Sequence, residues 1–112
     1  MFYTGGGNAA ELQTTSPVGS GWHYVAATFD DSSMNIYVDG ARQATQSQST
    51  PASPSTAVGV LVGNCPSDMT RQFIGTIADA RIYSRALAAS EVSSIHSAGN
   101  TFAAYSDPAM KL

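Results

Sequence analysis

The sequence predicts an all-β protein, an antiparallel β-sandwich with one short helix near the C-terminus. Three observations predict it. Runs rich in aromatic and β-branched residues, at 22–29, 34–38, 57–62 and 72–84, are bounded by Gly, Asp, Ser and Pro clusters, the pattern of short strands. Asp39-Gly40 stands between two alternating runs, a strong hairpin signal because a type I′ turn needs positive φ at both central positions. Only the segment around Leu87, Val92 and Ile95 shows near-helical spacing.

In order along the chain, Phe2 to Thr4 reads as a short strand and Gly5-Gly6-Gly7-Asn8 as the turn after it. Residues 22–29, Trp-His-Tyr-Val-Ala-Ala-Thr-Phe, carry large apolar groups on both faces, as a central sandwich strand requires. Met34, Ile36 and Val38 alternate with Asn35, Tyr37 and Asp39, a half-buried strand with one core face. After Asp39-Gly40 the chain returns through Ala41 to Thr45, so residues 22–45 form a three-stranded meander. Gln46 to Thr56, with Pro51 and Pro54, reads as a loop, Ala57 to Val62 as a strand, and Asn64 to Arg71 as another loop. Residues 72–84 read as the longest strand, with Ala78, Ala80 and Ile82 on one face and Asp79, Arg81 and Tyr83 on the other. The helix follows, with Glu91 in its first turn and Gly99 to end it, and the tail 106–112 reads as a docked extension or a linker.

A chain of 112 residues has one core and one domain. Charged residues are only 12% of the total, about half the usual share, so hydroxyls and amides solubilise the surface, a style that suits an extracellular all-β protein. The net charge is −3, with four Arg and a single Lys scattered along the chain. Nucleic-acid binding needs clustered cations and is excluded. No apolar run approaches the roughly 20 residues that span a bilayer. Met1 to Gly5 lacks a basic region with an apolar stretch behind it, so a secretion signal is expected upstream. Cys65 has no partner for an internal disulfide and reads as a small apolar residue.

Trp22-His23-Tyr24-Val25-Ala26, leading through Phe29-Asp30 to Ile36-Tyr37-Val38-Asp39-Gly40, resembles the W-H-x-V-A … Y-V-D-G core of laminin-G-like domains. Phe73-Ile74-Gly75-Thr76-Ile77, leading into Arg81 to Leu87 and Glu91-Val92, is similar to that family's closing strand and helix. The resemblance spans about residues 18–98, leaves 99–112 as a C-terminal extension, and implies a concanavalin A-like jelly roll in a secreted or cell-surface protein. Two positions depart from the pattern: Ala78 stands where the family usually has an acidic residue after Gly-x-Ile, and Ala88 replaces the helix-capping Ser. Such domains usually place several strands before the Trp-His block, where this chain has about 20 residues. The expectation is an incomplete jelly roll whose exposed sheet edges pair with a partner chain or a second copy.

For function, the resemblance implies a non-catalytic carbohydrate-binding or adhesion module, with a structural or protein-interaction module as the alternative. The only glutamates, Glu11 in a loop and Glu91 at the helix start, do not form the close carboxylate pair of a glycosidase. His23 and His96 have no Ser or Asp in a triad order; His23 is expected to be hydrogen-bonded inside the sheet, and His96 exposed near the helix end. Sugar binding needs aromatic platforms beside polar groups. Tyr24, Tyr37 and Tyr83 are the candidate ligand residues, while Trp22 is expected in the core. Calcium takes oxygen donors from loops; Asn64 and Asp68, in a loop distantly similar to that of pentraxins, together with Asp30 and Asp31, are the candidate ligands.

Overall fold

The computed structural model describes residues 2–4, 10–48, 62–63, 72–99 and 110–111. A three-stranded antiparallel sheet of β3 (Val25–Phe29), β4 (Ser33–Val38) and β5 (Ala41–Ser47) forms its centre. A small hairpin of β1 (Phe2–Thr4) and β2 (Ala10–Leu12) precedes it. The helix α1 (Ala89–Ala98) follows, after β6 (Ile82–Tyr83), which pairs with β7 (Met110–Lys111). The all-β architecture with one short C-terminal helix is therefore present, as part of a sandwich.

The β3–β4–β5 meander has the topology its turn chemistry dictates. Asp39 and Gly40 have φ of 52° and 78°, the paired positive values of a type I′ turn. Register runs from Val25 opposite Val38 to Phe29 opposite Met34. Between β4 and β5 the register shifts at Ile36/Tyr37, leaving Gln43 as a bulge.

Alternation along β4 supplies two cores on opposite faces. Met34 and Ile36 are buried with Leu12 of β2, and Phe29 and Ala44 pack around them. Tyr37 faces the other way and is buried with Leu87, Val92 and Ile95, joined by Tyr24, Ala26 and Tyr83. The expectation of one core face was thus too narrow. Tyr37 is only 3% exposed because α1 lays its apolar stripe on that side, which an isolated helix of this length requires for stability.

Helix α1 is fixed at its start without a capping hydroxyl. Ala88 is the N-cap, and Glu91 reaches back to accept the Ala88 backbone N–H at 2.7 Å. Both terminal guanidinium nitrogens of Arg85, Nη1 and Nη2, donate to the same carboxylate at 2.7 Å. This fork ties 85–88 to the first turn and leads Leu87 into the core.

Three expectations are corrected. The strand of residues 22–29 begins at Val25 and lies, among the described strands, at the sheet edge, with β4 central. The longest strand is not 72–84: only Ile82 and Tyr83 are in strand, and residues 72–80 are exposed. A strand exists through its neighbour's ladder of hydrogen bonds; the Phe73 N–H donates to the Gly63 carbonyl at 2.9 Å, but among the described residues no ladder forms along 72–81. The loop assigned from Gln46 begins later, since β5 runs to Ser47 and Gln48 donates to the Ser32 carbonyl at 2.7 Å. The expected strand at 57–62 and loop at 64–71 lie outside the described residues, apart from Val62.

Candidate functional site

The polar group with most structure around it forms where the hairpin turn meets the segment before β3. Asp39 has two carboxylate oxygens and both are used. Oδ1 accepts the Tyr24 backbone N–H at 3.0 Å, while the Asp39 N–H donates to the Tyr24 carbonyl at 2.8 Å. Oδ2 lies 2.8 Å from His23 Nδ1. The side chain thus stands in for a backbone carbonyl at the end of the ladder and also pairs with His23.

The charges follow that geometry. The hydrogen bond to Asp39 raises the His23 pKa above 6.5, against a smaller opposing effect of burial. The same bond, then the Tyr24 N–H, lowers that of Asp39. Above this pair, the His96 ring packs on Tyr24 with centroids 5.9 Å apart. A Cβ on Gly40 would sit 3.1 Å from His96 Nδ1 and 3.3 Å from the Ser93 Cα. The helix therefore closes on the turn, and Gly40 is needed for both its φ and the close approach. His96, expected to be exposed, is half-buried in this contact.

The residues expected to bind ligand are distributed otherwise. Tyr37 is core, and Tyr24 and Tyr83 are half-buried against the same cluster. Tyr37, at 3% exposed, has no open ring face for a sugar. The most exposed aromatic among the described residues is Trp22, expected in the core and 69% exposed, next to His23 and to Gly21, whose φ is 111°. What the sequence pattern missed is that Trp22 precedes the strand, so alternation does not fix its side.

Asp30 does structural work in its turn. Asp30 Oδ1 accepts the backbone N–H groups of Ser32 and Ser33 at 3.0 and 2.7 Å and the Ser32 hydroxyl at 2.7 Å. These bonds, the Ser32 hydroxyl first, lower its pKa to about 2. Asp30 closes the β3–β4 turn, in which Asp31 has a φ of 66°. Asn64 and Asp68 lie outside the described residues, and among those described no three carboxylate, His or Cys groups cluster as metal ligands. Glu11 lies in β2, not in a loop, and accepts from Gln13; Glu91 is engaged by Arg85.

The family model described as the concanavalin A-like lectin/glucanases superfamily, a laminin-G type, matches residues 1–93. The chain belongs to that family. No curated protein matches this laminin-G-like domain. Among solved structures it is similar to an S-layer domain-containing protein from Clostridium thermocellum, residues 221–444, with 24% identity and a TM-score of 0.54. The match covers 74% of this chain and 43% of that one, and it shows the shared fold. Among the described residues no helix is long and apolar enough to cross a membrane.

Proposed function

We propose that this laminin-G-like domain is a non-catalytic adhesion module of an extracellular protein, and that it holds glycans against Trp22. The observation that carries this reading is the exposed indole at 69%, one residue before the His23 of the polar His23–Asp39 pair. Aromatic faces stack on the apolar faces of sugar rings while neighbouring polar groups bind hydroxyls. The extracellular setting agrees with the superfamily and with the low charge. The absence of catalysis agrees with the engagement of Glu91 in holding the helix start.

The test is a glycan-array screen of the purified chain, run with calcium and with chelator. Array hits that also shift the fluorescence of Trp22, the single tryptophan, and that vanish in Trp22→Ala with unchanged circular dichroism, are expected. Absence of glycan retention under both conditions overturns the reading. A signal lost only in chelator gives calcium a role and directs mutation to Asn64 and Asp68.

A second reading, contact with polypeptide, is favoured by a different observation. Ile74 is 96% exposed, and Val18, Val25, Val62, Phe73, Ile77 and Ile82 are exposed too. Aliphatic side chains suit another protein's apolar surface better than a sugar's hydroxyls.

A further inference from the structure

The two edges of the central sheet differ in kind. Edge β5 is defended: its side chains are almost all exposed, it carries Arg42, and a bulge at Gln43 breaks its regular ladder. Edge β3 has none of these devices. Its sequence, Val25-Ala26-Ala27-Thr28-Phe29, has no charge and no Pro, and its register with β4 is unbroken.

The register also fixes which backbone groups face outward. Tyr24 and Asp39 are joined by backbone hydrogen bonding at 2.8 Å. Bonded and non-bonded pairs alternate in an antiparallel ladder, so Ala26–Tyr37 and Thr28–Asn35 are bonded pairs. Val25, Ala27 and Phe29 then turn their N–H and C=O groups away from β4, toward the side on which no described strand pairs with them. Their side chains share the face of Met34 and Ile36, where Val25 is 58% exposed and Ala27 is exposed.

We propose that the outer edge of β3 pairs antiparallel with the β3 edge of a second copy, about a two-fold axis through Ala27. This sets Ala27 opposite Ala27 of the second copy, Val25 opposite Phe29, and Phe29 opposite Val25. The pattern is self-complementary: every outward N–H of one copy meets an outward C=O of the other, and the exposed Val25 is covered by an aromatic ring. No like charges meet, because β3 carries none. The joined sheet ends in two β5 edges, which are defended, so the assembly closes at two copies. The inference rests on the polypeptide reading above and is independent of glycan binding.

The experiment is sedimentation of the full chain at micromolar concentration, with charge variants at the two-fold axis. The wild type is expected at twice 11.6 kDa. Ala27→Lys and Ala27→Glu are each expected to sediment as monomers with unchanged circular dichroism, because residue 27 is exposed in the monomer. An equimolar mixture of the two is expected to restore the dimer, since the axis places residue 27 against itself. Arg42→Glu, on the other edge, is expected to leave the dimer intact. A monomeric wild type overturns the inference, even where the chain captures a different polypeptide. So does a dimer that persists in both charge variants, or a mixture that stays monomeric.

Discussion

Asp39 joins two motif halves that lie 15 or 16 residues away in sequence, at Tyr24 and His23. Its tie to His23 has a pH signature. His23 has a pKa above its ordinary 6.5, so the stabilisation it provides is complete below 6.5 and lost as pH rises through the raised value. Asp39 is shifted downward from 3.8, so its contribution is present above 3.8 and lost as pH falls through the lowered value. The pair therefore contributes fully between about pH 4 and pH 6.5. Urea midpoints measured from pH 5.5 to pH 8.5 are expected to fall in the wild type and to lose that slope in His23→Gln; an equal slope in both proteins would contradict the tie. Asp39-Gly40 was legible as a turn because positive φ restricts residue choice there. That His23 is hydrogen-bonded was legible too, but not that Asp39 is its partner, because alternation gives a face to a strand residue and His23 precedes the strand.

At the level of the element, α1 is the clearest case of a local rule met in an unusual way. The Ala88 N-cap has no hydroxyl, and Glu91 with Arg85 compensates. The Glu91 pKa is lowered to about 2, by the Arg85 bond first and the Ala88 N–H next. Its contribution is present above 4.5 and fades as pH drops toward 2. Restoring the hydroxyl with Ala88→Ser is expected to stabilise the chain by about 1 kcal/mol, raising Tm by roughly 4 °C in a thermal melt. The helix itself was legible from Leu87, Val92, Ile95 and Gly99. The strand of 72–84 was misread because its alternation is genuine, with Asp79 and Arg81 paired on one side at 2.8 Å. Alternation shows what a segment is suited to, whereas pairing decides what it becomes.

For the molecule as a whole, the two cores share β4 and through it one fate. Met34 lies wholly buried in one and Val92 wholly buried in the other. Met34→Ala is expected to cost about 2–5 kcal/mol. Val92→Ala removes less volume and is expected to cost about 2 kcal/mol, from roughly 0.8 kcal/mol per buried carbon plus a cavity contribution. Because Ile36 and Tyr37 are adjacent on one strand and serve opposite faces, each variant is expected to lower a single cooperative transition, seen alike by far-UV and near-UV circular dichroism. Two separate transitions in either variant would mean that the faces fold apart. Fold class and meander could be read from the sequence; the second core could not, because Tyr37 falls on the polar side of a simple alternation and is buried with Leu87 and with Val92 and Ile95 of a helix far along the chain.

The contrast between β4 and β5 bears on how the chain can diverge. Six of the seven β5 side chains are exposed, Ala44 alone being half-buried, so they are constrained by little beyond a preference for extended backbone. β4 has no such freedom, since consecutive residues answer to different neighbours and one change of size disturbs one face or the other. Sequence drift in descendants of this domain is expected to accumulate on β5 and to spare β4, so that the outermost described strand becomes a record of lineage and the middle one a record of the fold.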